Sequence, residues 1–179
     1  MTTAALTATA PTVESLSQNF LAFAVKRLEH SEKDINACLG KLTDVQVWER
    51  GGDHENSVAN LLLHLEGNMR QWILHGIAGQ PDVRQRDHEF TLEPSLSVGD
   101  VSKRFADTIA EVAKVIAAVP ADRLLEVINP QPGSTWQNLT ILEAIFQVVG
   151  HVQQHTGQII LLTKQMTAQD LDLAMPRKR

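Results

Sequence analysis

The sequence predicts an all-α fold, a four-helix bundle with a long crossover connection between helices two and three. Three observations predict it. Four long segments carry apolar residues at the 3.6-residue helical period, and the stretches between them hold most of the glycine and proline. Two connections, at about residues 78–96 and 120–139, exceed the usual helix–helix loop. Crossings of that length permit parallel neighbours and allow the second and fourth helices to lie side by side.

The first segment runs from about Thr12 to Leu39, with Leu16, Phe20, Phe23, Ala24 and Leu28 along one stripe and Gly40 as a left-handed stop. The second begins near Ser57, after the turn-forming "RGGDHEN". It carries Val58, Leu61, Leu62, Leu65, Met69, Trp72 and Ile73 to about Ile77, and Gly79 and Pro81 end it. The third opens on Ser97-x-x-Asp100, a capping-box-like pair, and continues through Val101, Phe105, Ile109, Val112 and Ile116 until Pro120. A short extended piece fits around Leu124 to Ile128, where Pro130 and Pro132 bar a long strand. The fourth starts at Thr140-Ile141-Leu142-Glu143, a full capping box, and runs through Ile145, Val148, Val152, Ile159 and Leu162 to about Met166. Residues 1–11 are then a flexible N-terminal segment, 12–166 the bundle and 167–179 a tail that ends in the basic Pro176-Arg177-Lys178-Arg179. Leu63 and Leu74 lie off the main stripe of the second helix, which points to a further apolar contact and to self-association.

The 179 residues suffice for one domain with a substantial core. A formal charge of −5 and an aromatic content of 4% argue against a nucleic-acid partner, which calls for clustered cations and stacking rings. One cysteine, Cys38, excludes an intramolecular disulfide, and its apolar helical setting marks it as core. No signal-peptide pattern and no apolar run of the ~18 residues needed to span a bilayer is present, so the expectation is a soluble cytoplasmic protein without a membrane partner.

The chemistry rests on histidines, of which there are seven. His151 and His155, in "GHVQQHTGQII", lie roughly 40° apart on a helical wheel, at the edge of the apolar stripe. They can share a metal ion or be an ordinary surface pair, and spacing alone leaves both open. The zincin pattern HExxH is absent, and no Glu-x-x-His pair exists to build a ferritin-like di-iron site. A third ligand must come from elsewhere. His64 interrupts the aliphatic run "LLLHL" of helix two, where a desolvated imidazole requires either a hydrogen-bond partner or a metal. His75 lies about 16.5 Å further along the same helix, too far to join it. His54 and His88 sit in connections, and His30 belongs to a polar face beside Glu29 and Glu32.

Taken together, "LLLHLEGNMRQWI", "RQRDHEF" at 84–90 and "GHVQQHTGQI" resemble the DinB-like superfamily of metal-binding four-helix bundles, in particular its DUF1572-type subgroup. The resemblance spans roughly residues 12–166. It implies a His64/His151/His155 metal site in a bundle that is commonly dimeric, among members that include thiol S-transferases. Three imidazoles would favour zinc or nickel over magnesium and leave open coordination positions, the arrangement of a catalytic rather than a structural site.

The expectation is therefore a metal-dependent thiol transferase or hydrolase-like enzyme acting on a small thiol or electrophile. The alternative is a non-catalytic metal-binding or dimerising bundle. Asn68, one turn beyond His64, either orients a substrate or makes an interhelical hydrogen bond, and Gln154 and Gln158 share that ambiguity. Glu66 points away from His64. Candidates for a base, by location alone, are Asp87, His88 and Glu89 in the crossover.

Overall fold

A computed structural model describes residues 12–91 and 96–173 of the chain. The segment 1–11 and the basic C-terminal residues lie outside the described residues. Four helices form the body: α1 (Val13–Leu39), α2 (Val58–Met69), α3 (Val98–Ala117) and α4 (Ile141–Thr167). Each begins with a capping box, on Thr12/Ser15, Ser57/Asn60, Ser97/Asp100 and Thr140/Glu143, so the amides that open every helix find side-chain acceptors.

The buried face of α1 differs from the expected stripe. Leu16 and Phe23 point outward, 67% and 60% exposed, while Leu21, Leu28 and Ile35 face the core. Between these large residues Ser17, Ala24, Ser31 and Cys38 also face inward. Large and small residues thus alternate at spacings of four and three, the coiled-coil seam pattern, and the small ones let neighbouring helices approach. Gly40 ends α1 in a right-handed conformation (φ −63°), not the left-handed one expected, and passes the chain into consecutive turn bonds at Lys41 and Leu42.

The second helix was expected to remain α-helical to Ile77, but it widens at Arg70–His75 into a π-helical turn. There the Gly76 and Ala78 amides reach back five residues, to the carbonyls of Gln71 and Ile73. A side chain at Gly76 would strike both the Trp72 carbonyl and Pro130, so the glycine admits the 120–139 connection against this turn.

α1 packs on α3 and α4, and α2 packs on the same two, which sets α1 and α2 on one diagonal. Side-chain pairs give the directions. Arg104 meets Glu66 and Arg70 meets Glu111, so α2 and α3 run parallel, which the long crossover allows. His64 meets His155's neighbour His151, and one turn on Asn68 meets His151 from further along α2 while Trp72 reaches back to Gln131 before α4, so α2 and α4 run antiparallel. The adjacency of these two helices was expected; the parallel pair is α2 with α3.

The core is one cluster to which all four helices contribute, with Leu28, Leu65, Met69, Phe105, Ile109 and Ile145 fully enclosed. Cys38 lies within it at 0% exposure, and burial pushes its thiol pKa up. In the second long connection β1 (Val127–Ile128) pairs antiparallel with β2 (Leu139–Thr140). The Glu126 and Leu124 carbonyls accept from the Ile141 and Leu142 amides and so fix the start of α4. Among the described residues no helix is long and apolar enough to cross a membrane.

Candidate metal centre

α4 buries Ile145, Val148, Val152 and Ile159, and this phase turns His151 and His155 toward α2 at the edge of the core. The two Nε2 atoms are 2.9 Å apart. His64 comes from α2, its Nε2 3.2 Å from that of His151. One ligand atom from each of the three residues lies within 4.8 Å of the other two. For comparison, tetrahedral Zn–N bonds of 2.0–2.1 Å place ligand nitrogens about 3.3 Å apart.

What lies behind each ring fixes what lies in front. His64 Nδ1 faces Glu89 Oε2 at 2.9 Å, His151 Nδ1 faces Asn68 Oδ1 at 3.1 Å, and His155 Nδ1 faces Gln158 Oε1 at 2.5 Å. Oxygen acceptors at all three positions select the tautomer with its proton on Nδ1. The three Nε2 lone pairs then converge with no proton between them, an arrangement that is repulsive alone and favourable around a cation. These residues fit a borderline divalent ion, and the outer acceptors are those that orient metal-ligating histidines.

The two α4 imidazoles are also held neutral. Desolvation, then the neighbouring His155 and His64, lower the His151 pKa to about 4. Burial likewise lowers His155, against the hydrogen bond that its ring donates to Gln158 Oε1.

Glu89 is buried at 7% exposure and gripped from both sides. Arg84 Nε reaches Oε1 at 2.7 Å and Arg84 Nη2 reaches Oε2 at 2.9 Å. Burial raises the Glu89 pKa, but the hydrogen bonds from Arg84 and His64 outweigh it and hold the carboxyl below its ordinary value. Arg84 Nη2 also lies 3.3 Å from His64 Nδ1, yet the shorter contact with the carboxylate decides the ring's proton.

The crossover is anchored where this matters. Asn60, 0% exposed, accepts from Ser57 with Oδ1 and donates Nδ2 to the Glu89 and Thr91 carbonyls at 3.0 and 2.9 Å. Gly67 supplies the seat, since a Cβ there would fall on Glu89 Oε1 and crowd Arg84 Nε. The Phe90 ring then packs against His64 with centroids 5.1 Å apart.

The remaining candidates fall outside the cluster. Asn68 makes an interhelical hydrogen bond behind His151, and Gln158 stands behind His155, while Gln154 is exposed. Asp87 and His88 are exposed on the crossover, and Glu89 is fully engaged by Arg84 and His64 and unavailable as a base. Glu66 pairs with Arg104, His75 with the Gln80 carbonyl and His30 with Asp34. Leu63 and Leu74, whose off-stripe position points to a second apolar contact, border a cleft under the crossover, with Leu74 at 1% exposure.

Sequence reasoning missed the parts played by Arg84, Asn60 and Gly67. One signal was available: a glycine inside an otherwise strong helix, one turn past His64, marks close approach of another segment.

No curated protein matches the chain. A solved structure, the "conserved protein of locus" from Enterococcus faecalis, shares the fold at a TM-score of 0.57 and 17% sequence identity, over 89% of this chain and 100% of that one. The family described as "Protein of unknown function (DUF1572)" matches residues 15–179, and the chain belongs to it.

Proposed function

We propose that this chain is a metal-dependent enzyme of DinB-like kind, a thiol S-transferase or hydrolase-like catalyst acting in a reducing cytoplasm. Its ion would be held by His64, His151 and His155. The observation that carries the reading is the set of three Nδ1–acceptor contacts, which aim three unprotonated Nε2 atoms at one another. Zinc or nickel bound there would supply Lewis acidity toward a thiol or oxygen substrate, with positions beyond the three protein ligands left for it.

The chain's own residues do the preparing. Glu89 holds the His64 ring in one tautomer and Arg84 keeps that carboxylate ionised, while Asn68 and Gln158 do the same for the α4 pair. All three imidazoles are half-buried, so solvent and a small substrate approach from the open side. We also infer a homodimer. What supports it is the exposed apolar side chains Phe23 of α1 and Phe146 and Leu161 of α4, at 60%, 71% and 57% exposure on two neighbouring helices.

Elemental analysis of purified wild type beside His64→Ala and His155→Ala tests the centre, with one equivalent of metal expected in wild type and loss in both variants. Metal-loaded protein is then assayed with glutathione or cysteine plus 1-chloro-2,4-dinitrobenzene, and with p-nitrophenyl esters. A stoichiometric ion without turnover on either panel would favour the non-catalytic module. Light scattering of wild type and Phe146→Glu tests the dimer, and a wild-type monomer would refute it.

A further inference from the structure

A cleft lies against the Arg84–Glu89 pair. It encloses about 590 Å³ between α2, the crossover and the start of α3. That is within the ~300–1,000 Å³ range of small-molecule pockets. None of His64, His151 and His155 lines it. On α2 the lining residues Leu63 and Gly67 lie roughly 60–100° from His64 around the helix, and Arg70 and Leu74 of the π turn continue the wall.

Leu63, Leu74, Val83 and Leu96 make the apolar wall, with Trp48 beside them. The Trp48 indole N–H already donates to the Leu96 carbonyl at 2.9 Å.

The polar groups are unevenly engaged. Every carboxylate on the wall has its partners: Glu66 accepts from Arg104 at 3.1 and 3.2 Å, Asp82 from Gln71 and the Arg84 amide at 2.8 and 3.0 Å, and Glu89 from Arg84 and His64. The donors do not. Arg70 faces Glu111 at 3.7 Å, beyond hydrogen-bond reach, and among the described residues its guanidinium makes no hydrogen bond. Arg104 uses Nε and Nη2 and leaves Nη1. Arg104 pairs with Glu66, one turn before Arg70 in the chain, and both arginines line this cleft. Among the described residues, the cleft therefore has spare donors beside an apolar strip and no spare carboxylate.

We propose that this cleft binds an amphipathic anion, a short-chain molecule with a carboxylate or phosphate head. The head sits on Arg70 and Arg104, and the apolar chain runs along Leu63, Val83 and Leu96. Planar guanidinium forks suit such oxyanions, and the aliphatic strip suits little else. This site is independent of the metal reading.

The test is calorimetric titration of the full chain with octanoate, octyl phosphate and octylammonium. The expected result is saturable 1:1 binding of one or both anions, with the two arms naming the preferred head, and none of the cation. Arg70→Gln should weaken that binding at least tenfold. His155→Ala in the presence of a chelator should leave it unchanged, which separates this cleft from an anion seated on the metal. Equal binding of octylammonium, no binding of either anion up to millimolar, full affinity in Arg70→Gln, or loss in His155→Ala would each overturn the assignment. Should Arg70→Gln unfold, wild type still decides through phenylglyoxal labelling read by peptide mass spectrometry. Octanoate or octyl phosphate must protect Arg70 and Arg104, and protection confined to other arginines overturns the proposal.

Discussion

His64 sits in an aliphatic run, and the carboxylate of Glu89 behind it converts an awkward polar ring into an oriented donor. Glu89→Gln keeps the shape and removes the charge. The expected outcome is zinc or nickel affinity weaker by about 10–100-fold, the usual effect of losing an outer acceptor, measured by competition titration. Unchanged affinity would mean that Glu89 serves only to neutralise Arg84. A second expectation concerns protons in chelator-stripped protein. The His151 pKa falls from the ordinary 6.5 to about 4 on folding, so between those values the unfolded chain binds the proton and the folded one does not. Stability therefore rises with pH through this window and levels off above it. Urea midpoints at pH 4, 5, 6 and 7 should climb in wild type, and the climb should be shallower in His151→Gln. Of these residues, the three histidines were legible as a set only through the family resemblance in their order and context, since spacing alone left the α4 pair open. Glu89 was visible only as a charge in the crossover, because nothing local in "RQRDHEF" says which acid turns inward. That is decided by Gly67 and Asn60 on another element.

At the scale of the element, α2 departs furthest from what its sequence suggests. Its capping start and its apolar stripe were readable, but the widening at Arg70–His75 was not, since a π turn keeps the same apolar residues and changes only which carbonyl each amide meets. Of the expected α1 stripe, Phe20, Ala24 and Leu28 do meet the core, and only Leu16 and Phe23 were misplaced, for a related reason. Large Leu16 and Phe23 draw attention, whereas the inward-facing positions between Leu21, Leu28 and Ile35 are filled by serine, alanine and cysteine. Gly67 gives a test of the element against the site. By intrinsic propensity, Gly→Ala in a helix interior gains about 1 kcal/mol. Here the added Cβ would fall on Glu89 Oε1, which is locked to Arg84 with both side chains nearly buried, so neither can swing away cheaply. Gly67→Ala should consequently lower the melting temperature and weaken metal binding together. A rise in melting temperature with unaltered affinity would show that the crossover yields without cost.

For the whole molecule, the number of helices and the length of the crossover were legible, because both follow from periodicity and from where glycine and proline fall. Which helices share a diagonal was not, since that depends on packing among residues far apart in the chain. This long-range order determines what the ion would do for stability. His151 and His155 are one turn apart on α4, so a metal held by them alone could also bind transiently helical unfolded chain, with little preference for the native state. His64 is 87 residues from His151, and only the folded bundle brings it alongside. An ion shared by all three would therefore cross-link α2 to α4 and bind the native state selectively. At a free metal concentration 100 times Kd this is worth about 2.7 kcal/mol, or roughly 5–11 °C in melting temperature for a chain of this size. His64→Ala should abolish most of that shift even where weak binding to the α4 pair persists. Scanning calorimetry of wild type and His64→Ala, each with and without zinc, measures it, and an equal shift in both would show that α2 contributes no ligand.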